Sequence, residues 1–284
     1  MQISHFKAAG KRNWCQAGRA LELIEQARAA GLDVTADMYP YLAGSTMLVA
    51  MLPEWAHEGG KDAILQRLAK AKVRQAMMAS MQSEGFFQDA EWDKVLICDS
   101  PQRPVYQGHD IASLAAAADK SALEWVFDAL RETDLNMTMA IFMMSEENRR
   151  RELGHPAMMI GTDGMGYAAS GPMSQGRPHP RSYGTVPRIL GHYVREQTVI
   201  SLEEAVWKMS GFPAQKLGLK DRGRLVRGAK ADVVVFDPRT VIDRATYVKP
   251  HQYPAGIPHV IVNGKLAVHN GLHTGEISGS VLRR

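Results

Sequence analysis

Gln2-Ile3-Ser4-His5-Phe6, a run from Arg19 to Ala30, and Leu32-Asp33-Val34-Thr35-Ala36-Asp37 follow one another at the start of the chain, and their order decides the fold class. The first is a short strand-like run that ends in a polar group. Between Arg19 and Ala30 the apolar Leu21, Leu23, Ile24 and Ala27 recur at helical spacing, and Gly31 supplies a stop signal. The third stretch reads as a strand of the buried parallel type, closed by Tyr39-Pro40-Tyr41. Strand, helix and strand make a βαβ unit, so an α/β protein is expected.

Residues 42–155 break that rhythm. Helices are expected over about 61–82 and 111–131. They flank a Pro-containing segment with the strand-like Val95-Leu96-Ile97-Cys98, and a second apolar run spans Met137 to Met144. This reads as an insertion after a strand, of the kind that covers active sites in α/β enzymes. The rhythm resumes at Pro156-Ala157-Met158-Met159-Ile160, which runs into Gly161-Thr162-Asp163-Gly164. Residues 164–180 hold several Gly and Pro and no periodicity, so a loop is expected. Ser201-Leu202-Glu203-Glu204 has the pattern of a capping box, in which serine and Glu204 would each satisfy a helix-end N–H. From about Asp221 the texture turns to β, with a strand over Ala231–Pro238 and a hairpin over His259–Val268 that turns on Asn263-Gly264.

The 284 residues, 45% hydrophobic and 23% charged, describe an ordinary globular protein with ample length for a core. No run of about 18 apolar residues occurs. Met1 to His5 lacks the basic and apolar regions of a secretory signal. Neither a membrane span nor secretion is expected. A net charge of +4, with 34 basic residues scattered among 30 acids, gives no support for nucleic-acid binding. Cys15 and Cys98 stand far apart, which excludes a disulfide framework and a four-cysteine zinc site. A reducing, cytoplasmic setting is expected.

Three features stand at or beyond strand ends, where α/β barrels carry catalytic groups. His5 stands two positions before Lys7 in Ser4-His5-Phe6-Lys7, and on a strand i and i+2 share a face. A lone histidine is nonetheless more often structural than a ligand. Asp163 lies between two glycines, which fits turn chemistry as well as a metal ligand or general base. Arg177-Pro178-His179-Pro180-Arg181 is a stiffened loop with two guanidinium groups that could bind a carboxylate, or remain solvated surface. Other signals are weaker. His269 and His273 flank an Asn-Gly turn, Gly161 to Gly166 fits no nucleotide-binding pattern, and His57 and His109 read as surface residues of the insertion. Cys15 reads as an incidental thiol, and Met143 and Met144 as core filler or lid surface.

Taken together, Ile3-Ser4-His5-x-Lys7, Asp37-x-Tyr39-Pro40-Tyr41-x-Ala43-Gly44-Ser45-Thr46, Met159-Ile160-Gly161-Thr162-Asp163-Gly164 and His179-Pro180-Arg181-x-Tyr183-Gly184-Thr185 resemble the D-aminoacylases. These are N-acyl-D-amino-acid deacylases of the metal-dependent amidohydrolase superfamily. The resemblance runs on through Val206–Gly211, Asp221–Leu225, Ala231–Pro238 and Asn263-Gly264, and is weakest between about 50 and 105. It implies the C-terminal part of a TIM-type barrel, about strands six to eight, over residues 1–220 with the insertion at about 46–155. It also implies the C-terminal part of a sandwich-like β unit over 221–284. By the same resemblance His5 is a zinc ligand and Asp163 a metal ligand and proton shuttle. Lys7, Tyr39 and Ser45 lie against the substrate, and Arg181 clamps its carboxylate. The implied reaction is zinc-dependent hydrolysis of an N-acyl-D-amino acid to a carboxylate and a free D-amino acid.

The sequence departs from the family in one respect. It holds no His-x-His pair, and both cysteines follow the sixth-strand motif, so of the usual ligands only His5 and Asp163 remain. A catalytic zinc normally takes three protein ligands. Two expectations of different class follow: a chain that works when another polypeptide supplies strands one to five, or a non-catalytic remnant or truncated reading frame. A cyclic-amide amidohydrolase of the hydantoinase or dihydroorotase type is the enzymatic alternative, disfavoured by Tyr39-Pro40-Tyr41 and His179-Pro180-Arg181.

Overall fold

The computed structural model describes residues 1–83, 88 and 90–282. The expected βαβ unit is present: β1 (Gln2–Ile3), α1 (Gln16–Ala29) and β2 (Thr35–Met38). β1 pairs in parallel with β2. Leu21 and Ile24 of α1 are buried against Val34, Ala36 and Met38. That burial is what the helical spacing encodes. Both strands are shorter than their apolar runs, since Leu32 and Asp33 are exposed and β1 stops at Ile3.

After β2 the chain enters β3 (Ala43–Met47), α2 (Gly60–Leu68), α3 (Ala71–Ser83), β4 (Val95–Asp99), α4 (Ile111–Ala117), α5 (Ala122–Glu132) and β5 (Thr138–Phe142). β3, β5 and β4 form an antiparallel sheet in that order. The helices cover it with a core that includes Met77, Ile97, Trp125, Phe127 and Leu130. Each of the two long helices expected here is two. The first divides at Ala69-Lys70 without a Gly or Pro, and the Leu68 carbonyl is taken up by Arg74 Nε at 2.5 Å. The bend lets Ile64, Leu68, Met77 and Met81 enter one core. The second divides where Asp119 takes φ 53°, and Ser121 and Glu124 then form a reciprocal capping box.

Helix α6 (Glu146–Gly154) returns the chain to β6 (Met158–Ile160), which pairs in parallel with β2. The sheet order β1-β2-β6 leaves β1 and β6 at its edges. Leu153 of α6 packs with Ala36, Met38 and Met158, so we propose that the insertion runs from β3 to β5 and that α6 belongs with the parallel strands. α7 (Arg181–Arg188) continues in π-helical turns over Ile189–Glu196. α8 (Leu202–Val206) and α9 (Phe212–Leu217) follow. At α8 only half of the expected box forms. Ser201 Oγ accepts from the Glu204 N–H at 3.1 Å, while the Glu204 carboxylate reaches Lys208 at 3.5 Å.

The C-terminal strands β7 (Val233–Val235), β8 (His259–Val262), β9 (Lys265–His269) and β10 (Leu272–His273) form an antiparallel sheet. Asn263 and Gly264, at φ 48° and 83°, make the left-handed turn that joins β8 to β9, as their pairing predicts. His269 and His273 stand on either side of a second such turn at Asn270-Gly271. Among the described residues no helix is long and apolar enough to cross a membrane.

Candidate active site

The segments that leave β1, β2 and β6 meet at one end of the parallel sheet, the carboxyl ends where barrel enzymes hold their chemistry. His5 and Lys7 lie past the end of β1, so the alternation of a strand does not bring them together. His5 instead adopts φ 44°, and Lys7 Nζ reaches back to His5 Nδ1 at 2.8 Å. Asp37 at the end of β2 holds this turn: its Oδ1 accepts from the His5 N–H at 2.8 Å and its carbonyl from the Phe6 N–H at 2.8 Å.

Tyr39 follows β2 and is 1% exposed, its ring lying under two cations. Lys7 Nζ stands 5.5 Å and the Arg181 guanidinium carbon 4.8 Å from the ring centroid. Such contacts contribute about 0.5–2 kcal/mol each, the larger values when desolvated. Arg181 Nη1 meets Asp163 Oδ2 at 2.8 Å. The glycines around Asp163 permit that meeting. Gly161 packs on Asp37, and a Cβ at Gly164 would stand 2.9 Å from Ser182 Oγ and 3.0 Å from Ser182 Cα, so the Asp163 turn tucks beneath the first turn of α7. Asp163 itself takes φ 46°.

His5, Lys7, Tyr39, Arg181 and Asp163 are thus joined in an unbroken series of contacts. Ser45 is not in that series. It lies on β3 near the buried Cys98 thiol, which burial, with Asp99 nearby, pushes up to about 12. The loop that was open to a solvated reading is not solvated at its end, because His179 and Arg181 are both buried.

Lys7 is lowered to about 8, first by burial and then by Arg149, with Asp163 and Glu152 opposing. Tyr39 is raised, chiefly by burial. His179 is lowered to about 3, by burial and then by Arg181. The local charge is cationic at Lys7, Arg149 and Arg181, which suits an anion such as a carboxylate.

Beneath this site lies a pair that sequence reading did not single out. Arg149 and Glu152, both fully buried on α6, form an ion pair, and the Arg149 guanidinium donates to the Phe6 carbonyl at 3.0 Å and the Tyr39 carbonyl at 3.4 Å. It therefore braces the segments that carry Lys7 and Tyr39. Glu152 is pushed up to about 7 by burial, against the pull of Arg149. No signal in Glu146-Glu147-Asn148-Arg149-Arg150-Arg151-Glu152 distinguishes the buried charges from the exposed ones.

Two donors suited to a metal, His5 and Asp163, are present, but each is engaged by a cation, Lys7 and Arg181 respectively. Among the described residues no group of three or more His, Cys, Asp and Glu gathers in a metal-holding arrangement. These residues alone do not make the three-ligand set of a catalytic zinc.

Comparison with known proteins agrees with this architecture. The model of the amidohydrolase family matches residues 16–268. The chain is 37% identical over 283 residues to a D-aminoacylase of Alcaligenes xylosoxydans xylosoxydans, covering 99% of this chain and 48% of that protein. It is 38% identical over 284 residues to an N-acyl-D-glutamate deacylase of the same organism, with the same coverage. Among solved structures, the N-acyl-D-glutamate deacylase of Bordetella bronchiseptica complexed with zinc and a phosphonate mimic of the tetrahedral intermediate superposes with a TM-score of 0.71. That match is 32% identical and covers 94% of this chain and 46% of that one. The chain spans about half the length of the curated relatives it matches.

Proposed function

The chain belongs to the amidohydrolase family, and from that premise we propose that it supplies the substrate-carboxylate side of an N-acyl-D-amino-acid deacylase. The remaining barrel strands, with the rest of a zinc site, come from polypeptide outside these 284 residues. The observation that carries the reading is the series of contacts from His5 through Lys7, Tyr39 and Arg181 to Asp163. Five residues from four separate segments converge there, and they include two side-chain cations, Lys7 and Arg181, that suit a substrate carboxylate.

Each group has a role in that reaction. Arg181, planar and permanently charged, binds the substrate carboxylate through paired N–H donors. Lys7 adds a second positive charge against the same ring. Tyr39 is the floor on which both cations rest, and its burial keeps it protonated. Asp163 is the proton carrier, taking a proton from the attacking water and delivering it to the leaving nitrogen as the amide breaks. Zinc, in the completed enzyme, would supply polarisation of the amide carbonyl; the described residues of this chain do not hold it by themselves.

The test is to assay release of D-methionine from N-acetyl-D-methionine with zinc, by this chain alone and by this chain co-purified with a polypeptide that carries barrel strands one to five. Turnover by the complex and none by the chain alone is expected. Robust turnover by the isolated chain with stoichiometric zinc would contradict the incomplete site, and an inert but properly assembled complex would contradict the deacylase reading.

A further inference from the structure

His179 is the one histidine of the loop, and it meets the series through the Arg181 backbone N–H and the Tyr39 ring. It is 4% exposed and sits among three aromatic rings, with centroids of Tyr39, Tyr41 and Tyr247 at 6.0, 5.3 and 5.0 Å. Both ring nitrogens are used. Nδ1 accepts from the Arg181 backbone N–H at 3.0 Å, and Nε2 stands 2.9 Å from the Ala43 carbonyl oxygen.

These two bonds fix the chemistry of the ring. A backbone N–H can only donate, so Nδ1 must be bare; a carbonyl can only accept, so Nε2 must carry the proton. An imidazolium would aim a second N–H at the Arg181 amide. The ring has no lone pair left for a metal and no proton that can leave without breaking the bond to Ala43. What remains is a mechanical role. Arg181 is the first residue of α7, where backbone N–H groups lack partners within the helix. The side chain two residues earlier satisfies that N–H, as Asn or Asp does in a local turn. Its far nitrogen is anchored on β3, the first strand of the insertion.

We propose that His179 is the positioning residue of Arg181: a neutral, Nε2-protonated imidazole that ties the first turn of α7 to strand β3 and thereby sets where the Arg181 guanidinium stands over Tyr39. The consequence reaches beyond the loop, because a shift of β3 is carried to Arg181 through one rigid ring. The mechanical claim is independent of substrate identity, although its importance for catalysis rests on Arg181 serving as the carboxylate clamp.

Two substitutions separate the bonds. His179→Asn presents an oxygen where Nδ1 lies and keeps the acceptor for Arg181; His179→Gln presents an N–H where Nε2 lies and keeps the donor to Ala43. In the ¹⁵N-labelled full chain at pH 7, the imidazole of His179 is expected to show a protonated Nε2 and a bare Nδ1. Amide hydrogen exchange at Arg181 should stay near the wild-type rate in His179→Asn and rise about tenfold in His179→Gln, a loss matching one hydrogen bond. A ring that merely fills space among the tyrosines would move both variants alike. Equal exchange in the two variants, or an Nδ1-protonated or doubly protonated ring, overturns the proposal. If either variant fails to fold, the wild-type ring spectrum decides alone. If wild type fails to bind N-acetyl-D-methionine, the deacylase reading falls while these measurements still stand or fall by themselves.

Discussion

The insertion and the parallel strands bury different things. From β3 to β5 the core is apolar, built from residues such as Ile97, Trp125, Phe127 and Met139, and among the described residues its fully enclosed polar ones, Ser100 and Thr133, are uncharged. Around β1, β2 and β6 the enclosed residues include Arg149, Glu152, His179, Arg181 and Lys208. Removing a charge from water costs several kcal/mol even when it is paired. The difference teaches that the insertion carries stability, whereas the parallel strands accept an electrostatic cost, with Arg149, Glu152 and Arg181 at the end where the candidate site lies and Lys208 at the opposite end of β6. Two arrangements of the same chain thus answer to two constraints: close packing in one, and defined placement of charge in the other.

Substitutions can break that contrast. The largest expected effect is from Arg149→Met, which leaves Glu152 buried without its partner and should lower unfolding stability by about 3–5 kcal/mol in urea titrations. Adding Glu152→Leu should restore most of it. If the single substitution costs under about 1 kcal/mol, buried charge is not the weak point of this half. In the insertion, Ile97→Ala should cost about 2–5 kcal/mol through cavity formation, while leaving the Lys7, Tyr39 and Arg181 resonances at their wild-type positions. Movement of those resonances would show the two regions to be mechanically continuous.

A pH dependence sharpens the contrast further. Glu152 is raised in the folded chain from 4.5 to about 7, so between these values the folded state binds a proton that the unfolded state has released. Stability must then fall as pH rises from about 4.5 through 7. The Glu152→Gln variant should lose that component of the slope, as measured by urea midpoints across pH 5 to 8; an unchanged slope would place its origin elsewhere. The smallest effect is local. Ser121→Ala removes the capping-box serine of α5 and should cost about 1 kcal/mol.

The contrast also explains what could be read from the sequence. Elements set by local chemistry were legible: the βαβ unit from the spacing of Leu21 and Ile24, and the β8–β9 turn from Asn263-Gly264. That Lys7, Tyr39, Asp163 and Arg181 share one site is what the resemblance to the D-aminoacylases implies, and the structure joins the four in contact. The break before Ser121 was also written in the sequence, as Ser121-x-x-Glu124, and is visible once the capping pattern is sought. Other features depend on long-range packing and leave no local trace. Ala69-Lys70 bends because Leu68 and Met77 must share one core. His5 turns left-handed because Asp37, 32 positions on, accepts its N–H. Arg149 is enclosed because it reaches the Phe6 and Tyr39 carbonyls, more than a hundred residues earlier. Charge that is buried for placement has the same letter as charge on the surface.

The most direct measurement is an amide and side-chain NMR titration of the full chain with N-acetyl-D-methionine, with N-acetyl-L-methionine as control. A carboxylate seated between Lys7 and Arg181 must displace the Asp163 contact and alter the ring current of Tyr39. The proposed site requires perturbations at His5, Lys7, Tyr39, Asp163 and Arg181, stronger for the D form, with α2 to α5 unchanged. Perturbations confined to the insertion, or none at those five residues at saturating ligand, would contradict it.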